Sequence, residues 1–151
     1  MTRKPRPPDS SLRSRAAKRW WDDFFGPDYF LMYGPALTPV RSAEQVECAV
    51  RALGLRGGDS VLDLCCGFGR HLRWFRSRGV EAFGLDRSRD QIAAARSCDR
   101  RLICRGDARM LPYRPRFDGV VCFYTSVGFF DDAGNRRQLE EAVRILRPGG
   151  G

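Results

Sequence analysis

The sequence predicts an α/β fold, in which helices cover both faces of a doubly wound parallel sheet. Short apolar segments typical of strands alternate with amphipathic segments typical of helices between residues 61 and 146. This alternation favours parallel strands joined by crossover helices. A glycine-containing turn follows the first predicted strand, and acidic residues follow the next two. The chain of 151 residues is long enough for one domain of this kind.

A basic segment opens the chain. Residues 1–19 hold seven basic residues, one acidic residue and few apolar ones. Such a composition buries too little surface to order itself, so we expect a disordered tail. A nucleic-acid-binding arm and a transit peptide are the alternatives for it.

An aromatic segment follows, and we assign residues 20–40 to a lid or cap. Trp20 and Trp21 lie four residues before Phe24 and Phe25, so each pair shares a helical face. Gly26-Pro27 should end this helix. The aromatic side chains either pack on the core or close over a pocket.

Residues 41–151 form the predicted α/β domain, and its first helix begins with a capping signal. Ser42 followed by Gln45 predicts a capping box, and Gly54 predicts the end of the helix. The apolar stripe between them predicts the buried face of this helix, and consists of Ala43, Val46, Val50 and Leu53.

The strands and the remaining helices follow in alternation. We expect strands at residues 61–64, 80–86, 102–104 and 117–124. The helix after the first strand should turn Leu72 and Phe75 inward and end near Gly79. Ser88 and Gln91 predict a second capping box, opening a helix through Ile92 and Ala95 towards Cys98. The last helix carries an apolar stripe of Leu139, Ala142, Val143 and Leu146.

Polar and glycine residues cluster at the carboxyl ends of all four predicted strands. These residues are Asp63 with Gly67 and Gly69, then Asp86, then Gly106-Asp107-Ala108, and finally Tyr124. In a parallel sheet these ends share one edge, where ligands bind. The sequence therefore predicts three carboxylates around one crevice.

The glycine turn is not a phosphate-binding loop. The dinucleotide fingerprint needs a third glycine where this chain has Leu72, and no G-x-x-x-x-G-K is present. Asp63 would repel a pyrophosphate and suits a cationic, amine-bearing ligand. Asp86 lies where an acid binds ribose hydroxyls in folds of this kind, and Asp107 could accept from an exocyclic amine. Together these features describe a site for S-adenosylmethionine.

Five segments in order resemble the motifs of class I S-adenosylmethionine-dependent methyltransferases. They are VLDLCCGFGRH, GVEAFGLDRSRDQIAAAR, GDARMLPY, FDGVVCFYTSVGFF and LRPGG, within about residues 40–151. The resemblance implies a Rossmann-like fold and S-adenosylmethionine as cofactor. It further implies that the cofactor-binding residues are Asp63, Cys65, Gly67, Gly69, Asp86, Arg87, Gly106, Asp107, Ala108 and Tyr124. Cys65 stands where the family often has glycine, so we expect a slightly tighter loop.

The acceptor and the catalytic residues stay open. The resemblance implies methyl transfer to a small molecule, and an RNA acceptor held by the basic tail is the alternative. A nicotinamide reductase is a more distant one. His71 is interpreted as a helix residue near the cofactor rather than as a catalytic base, and Tyr29, Tyr33 and Arg41 as residues that close over the cofactor or bind an acidic acceptor.

The chain ends directly after LRPGG, where the family continues into further strands. We therefore expect the N-terminal four strands of the fold, with the C-terminal strands missing and the fourth strand left as an exposed edge open to self-association. Such a chain would bind the cofactor weakly and turn over poorly, or be an inactive remnant.

The cysteines and the absence of long apolar runs indicate the setting. The six cysteines include no C-x-x-C pair, so we expect reduced, buried thiols, no metal site and a cytoplasmic protein. No apolar run approaches the roughly 18 residues of a membrane span.

Overall fold

The computed structural model describes residues 24–26, 28–95, 100–124 and 126–151. The predictions for the tail 1–19, for Trp20 and Trp21 and for Cys98 lie outside these residues. Among the helices of the described residues, none has the length and apolar character to cross a membrane.

From residue 28 onward the described chain has two helices before the first strand, one helix after each of the first two strands, no helix between the third and fourth strands, and one helix after the fourth strand. The helices are α1 (Asp28–Tyr33), α2 (Pro39–Leu53), α3 (Leu72–Arg76), α4 (Arg89–Ala93) and α5 (Asp132–Arg144). The strands are β1 (Ser60–Leu64), β2 (Glu81–Asp86), β3 (Ile103–Arg105) and β4 (Gly119–Val121). Short 3-10 turns lie at Gly34–Ala36 and Arg100–Leu102.

The four strands form one parallel sheet in the order β3-β2-β1-β4. Asp63 of β1 pairs with Gly84 of β2 on one side and with Val121 of β4 on the other. In sequence order, β2 and then β3 are added on one side of β1, and β4 is added on its other side. This reversal beside β1 confirms the predicted doubly wound fold and places a crevice at the carboxyl ends of β1 and β4.

The core lies on both faces of the sheet, as alternation along β1 requires. Val61 packs on one face with the α2 and α3 residues Val46, Leu72 and Phe75. The next residue, Leu62, packs on the other face with a cluster that includes Phe117 and Ile145.

The capping prediction for the first helix is wrong. Helix α2 begins earlier, with Thr38 as N-cap, whose hydroxyl accepts from Arg41 N at 3.2 Å. Ser42 is buried inside the helix and donates to the Thr38 carbonyl at 2.9 Å. Gly54 does end the helix in a left-handed conformation, with φ 63°, which confirms that prediction. Ser88 does cap α4 through Gln91 N, but the predicted capping box is incomplete, because Ser88 N donates to Asp86 Oδ1 and Gln91 Nε2 donates to the Phe25 carbonyl. Helix α4 also ends at Ala93, before Ala95.

The stripe predicted for the last helix is partly wrong. Leu139 and Val143 are 54% and 69% exposed, whereas Gln138, Glu141 and Ile145 are buried. Glu141 lies inward because its carboxylate accepts from Leu111 N at 2.6 Å and from Arg144. The inward face of α5 is therefore partly polar, which apolar periodicity does not reveal.

The fourth strand is shorter and less exposed than expected. Strand β4 covers only Gly119–Val121 at the edge of the described sheet. Its free side is partly occupied by the end of the chain, because Val120 N donates to the Gly151 carbonyl at 2.9 Å and Gly151 N donates to the Asp118 carbonyl at 3.2 Å. Self-association through this edge stays a prediction.

Candidate functional site

A cavity of about 420 Å³ lies at the carboxyl ends of the four strands. Nine of the ten residues that the sequence assigned to a cofactor site line it: Asp63, Cys65, Gly67, Asp86, Arg87, Gly106, Asp107, Ala108 and Tyr124. The tenth, Gly69, does not line the cavity. It is buried in the turn, where its N–H donates to the Cys66 carbonyl at 3.0 Å.

The turn after β1 depends on left-handed backbone conformations. Cys65, Gly67 and Gly69 have φ values of 61°, 58° and 70°. Glycine adopts this region freely, whereas a side chain with a Cβ is strained there. A non-glycine residue at position 65 therefore carries backbone strain. The slightly tighter loop expected from Cys65 stays a prediction.

Asp86 fixes the turn to the end of β2. Its Oδ2 accepts from Gly67 N and its Oδ1 from Ser88 N, both at 2.7 Å. Burial raises the pKa of this carboxyl above its ordinary value, although the backbone N–H groups of Ser88 and Gly67 act in the opposite direction. The carboxylate is thus held rigidly in the cavity wall and keeps acceptor capacity for a ligand.

Asp63 bonds to the single histidine of the chain, which also lines the cavity. Its Oδ2 lies 3.1 Å from His71 Nδ1, and His71 Nε2 lies 3.2 Å from Gln45 Oε1. The imidazole is 3% exposed and packs on the Phe123 ring at 3.9 Å between centroids. Because both ring nitrogens already have partners, this arrangement favours the interpretation of His71 as a structural residue that links α2 to β1.

The end of β3 holds an ion pair that the sequence did not indicate. The Asp107 carboxylate accepts from Arg109 Nε at 3.0 Å and from Arg109 Nη2 at 2.7 Å. The Arg109 guanidinium holds the pKa of Asp107 below its ordinary value and lies over the Phe130 ring at 4.2 Å. An amine of a ligand would therefore share Asp107 with Arg109.

Two thiols meet between β1 and β4. A side-chain hydrogen bond between Cys65 and Cys122, together with burial, raises the pKa of the Cys65 thiol, and the same bond lowers the pKa of Cys122. Both are free cysteines. Within the described ranges, no group of three or more His, Cys, Asp or Glu side chains is placed to hold a metal ion.

Aromatic side chains line the opposite wall. Phe24 and Phe25 meet edge to face at 5.1 Å, Tyr29 stacks on Tyr33 at 5.0 Å, and Phe25 reaches Phe129 at 5.7 Å. All five line the cavity. We refer to these five residues as the aromatic wall.

Backbone contacts fasten the aromatic wall to helix α4. The Phe25 carbonyl accepts from Ser88 Oγ and from Gln91 Nε2, both at 3.2 Å. Tyr29 and Tyr33 line the cavity, whereas Arg41 is exposed and is not among the lining residues. A role of the two tyrosines in closing over the cofactor or binding an acidic acceptor stays a prediction.

The sequence missed Arg70 and Gln45. Arg70 lines the cavity and is 8% exposed. Its Cζ lies 4.9 Å from the centroid of the Tyr124 ring, and its Nη1 donates to Ser42 Oγ at 2.7 Å. The only local signal was its place next to Gly69.

Comparison with known proteins identifies the family to which this arrangement belongs. Residues 61–150 match the family described as "Methyltransferase domain". The chain is 36% identical over 115 residues to 2-phytyl-1,4-beta-naphthoquinone methyltransferase of Arabidopsis thaliana, covering 67% of this chain and 42% of that protein.

Solved structures give the same result. The sugar N-methyltransferase KedS8 from Streptoalloteichus is 30% identical, with a TM-score of 0.67 over 83% of this chain and 51% of that one. A Haloferax volcanii complex of the Trm112 methyltransferase activator with a methyltransferase is 27% identical, with a TM-score of 0.68 over 89% and 59% of the two chains. The chain spans about half or less of the length of the curated relatives it matches.

Proposed function

The chain belongs to the class I S-adenosylmethionine-dependent methyltransferases, and on that premise we propose that its cavity binds S-adenosylmethionine and that the protein transfers the methyl group to a small-molecule acceptor. One observation carries the proposal. Asp86 is held at the end of β2 by backbone N–H groups of the glycine turn and of the α4 N-cap, with its carboxylate in the cavity wall.

The residues present fit this cofactor. Acidic side chains at or near the carboxyl ends of β1, β2 and β3 line a cavity whose size is within the usual range for small-ligand sites. We assign Asp86 to the ribose hydroxyls, and Asp107 with Ala108 to the adenine. We assign Asp63 and the turn at residues 65–69 to the amino-acid end, since buried carboxylates favour a cationic group.

The chemistry makes few demands on the protein. When bound, S-adenosylmethionine supplies a methyl group on a positively charged sulfur, which a nucleophile displaces in line. The protein contributes position and the exclusion of water. The aromatic wall supports the second role, because it places apolar rings opposite the carboxylates.

A small molecule is the acceptor that the cavity supports best. The cavity volume of about 420 Å³ is towards the lower end of the range for small-ligand sites, which favours a small acceptor. The naphthoquinone and sugar methyltransferases among the relatives act on ring compounds by their names, which agrees with a ring-bearing acceptor here.

Calorimetric binding of S-adenosylhomocysteine tests the proposal. We expect the wild type to bind it and Asp86→Asn to bind roughly 10- to 100-fold more weakly, because a charged acceptor contributes about 1.5–3 kcal/mol. Asp132→Asn, an exposed change in α5, is the matched control and should bind as the wild type does. Absence of binding by the wild type, or equal binding by Asp86→Asn, refutes the proposed site.

A further inference from the structure

Arg70 is a buried cation without an acidic partner in the described part of the chain. It is 8% exposed, and its Nη1 donates to the neutral hydroxyl of Ser42. Its Nη2 is buried and has no hydrogen-bond partner there. A guanidinium has five N–H groups to satisfy, so this side chain is under-supplied with acceptors.

Two paired arginines, one at the cavity edge and one in the last helix, show the kind of partner that Arg70 lacks. Arg109 binds Asp107, Arg144 binds Glu141, and each pair has at least two N–H to oxygen bonds. Both of these arginines are more exposed than Arg70. Of these three arginines, the most buried one is therefore the one that lacks a carboxylate partner.

The surroundings of Arg70 compensate its charge only in part. Asp63 attracts it from a distance, but the Asp63 carboxylate bonds to His71. Arg41 repels it, and burial lowers the pKa of the guanidinium. Burial of an unpaired charge costs free energy of folding. A ligand that supplies the opposite charge would remove this cost, which favours binding.

We propose that Arg70 binds a carboxylate of a bound ligand at the β1–β4 end of the cavity, which deepens the proposed function and rests on it. Arg70 lies there between Ser42 of α2 and Tyr124 after β4. Two ligands could deliver a carboxylate to this place: the amino-acid end of the cofactor, or an acidic acceptor.

Tyr124 controls access to the guanidinium. Its ring lies over Arg70, yet the residue is 51% exposed and has a left-handed φ of 64°. Displacement of the ring opens the guanidinium to the ligand.

The experiment compares Arg70→Met and Arg70→Lys with the wild type by calorimetry. The probes for the cofactor are S-adenosylhomocysteine and 5′-methylthioadenosine, which keeps adenosine and sulfur but lacks the amino-acid end. The probes for the acceptor are 4-hydroxybenzoate and its neutral analogue 4-hydroxybenzyl alcohol, added to the S-adenosylhomocysteine complex. Arg73→Met is the matched control, since Arg73 also lies over an aromatic ring but is exposed.

Two results support the proposal and identify the source of the carboxylate. If the cofactor supplies it, Arg70→Met weakens S-adenosylhomocysteine at least about tenfold and leaves 5′-methylthioadenosine unchanged. If the acceptor supplies it, Arg70→Met weakens only 4-hydroxybenzoate. In either case Arg70→Lys restores part of the affinity, because it keeps the charge and loses the planar fork.

Other results overturn the proposal. These are an equal loss of affinity for S-adenosylhomocysteine and 5′-methylthioadenosine, or no change with any probe. The urea midpoint of unligated Arg70→Met gives an independent readout: we expect it to equal or exceed that of the wild type, whereas a drop with unchanged binding makes Arg70 a purely structural residue. Failure of the wild type to bind S-adenosylhomocysteine would instead refute the proposed function itself.

Discussion

Gly84→Ala in the centre of the sheet should destabilise the protein and loosen the turn after β1. Gly84 lies in β2 between Asp63 of β1 and Ile103 of β3. A Cβ at this position would lie 2.6 Å from Cys66 Sγ, 3.2 Å from Cys66 Cβ and 3.3 Å from Ile103 Cγ1. The first distance is too short for any real contact, so Cys66 must shift.

The size of the effect follows from how little room Cys66 has. It is 7% exposed, and its N–H donates to the Leu85 carbonyl at 3.1 Å. Overpacking in a tight core costs about 1–3 kcal/mol, and we expect the upper half of this range. With a urea dependence of about 1–3 kcal/mol per M, the midpoint of unfolding should fall by about 1 M.

Urea unfolding of a double-mutant cycle measures the contact. Cys66→Ala alone should cost about 1 kcal/mol, because it removes one buried sulfur. In Gly84→Ala/Cys66→Ala the contact at 2.6 Å is gone, so the double variant should be more stable than Gly84→Ala, with a coupling of about 1–2 kcal/mol. Gly57→Ala, where the nearest atom is at 4.0 Å, is the control and should be nearly neutral.

Additivity of the two single changes would refute this reasoning. So would a Gly84→Ala variant that unfolds at the urea concentration of the wild type. Either result would mean that the strand moves to admit the methyl group and that Cys66 is not the barrier.

Substitutions at three further positions test the local structure by urea unfolding. Cys65→Gly should be tolerated within about 1 kcal/mol, whereas Cys65→Val should cost more than about 2 kcal/mol because a β-branched residue is poorly suited to φ 61°; equal stability of the two would contradict the strain. Thr38→Ala should cost about 1 kcal/mol through loss of the N-cap, and no loss would mean that the helix begins elsewhere. Arg144 lowers the pKa of Glu141 from 4.5 to about 2. The stability that this ion pair contributes is therefore fully present above pH 4.5 and is lost as the pH falls towards 2. Glu141→Gln should lower the free energy of unfolding by about 1–3 kcal/mol at pH 7. The variant should also lose less stability than the wild type as the pH falls towards 2, and an equal loss in the two proteins would contradict this.

The parts of the fold that the sequence predicted correctly depend on neighbours along the chain. Gly54 ends α2 because a left-handed residue is needed directly after a helix, and Ser88 caps α4 through an N–H three residues away. Parallel pairing alone brings the acidic residues near the carboxyl ends of the strands, Asp63, Asp86 and Asp107, to one edge of the sheet. Local chemistry and topology were sufficient for these features.

The capping error has a tertiary cause. Ser42 and Gln45 have the spacing of a capping box, but both are used inside α2: Ser42 bonds to Arg70, 28 residues away, and Gln45 to His71, 26 residues away. Thr38 followed by Pro39 was an equally good local signal, since proline favours the first helical position. Only the distant partners decide between the two.

The same limitation applies to the site. The sequence located the carboxylates, but not the groups that set their state. Asp107 is bound by Arg109, and Asp63 by His71. Arg70 was not predicted, because its importance depends on a buried Nη2 group without a hydrogen-bond partner in the described part of the chain. A sequence alone does not show which groups surround a guanidinium.

Two of the contacts that hold the turn after β1 against β2 give the last prediction. Gly67 N donates to Asp86 at the end of the strand, and Cys66 packs against the bare Cα of Gly84 two residues earlier. Asp86→Asn weakens the first contact and Gly84→Ala disturbs the second, so both act on one rigid segment. When one contact is already lost, the turn is less ordered. The second substitution should then weaken the binding of S-adenosylhomocysteine by a smaller factor than it does in the wild-type protein. Calorimetry of both single variants and the double variant measures this. Fully additive losses would show that Asp86 acts on the ligand alone and not also through the position of the turn.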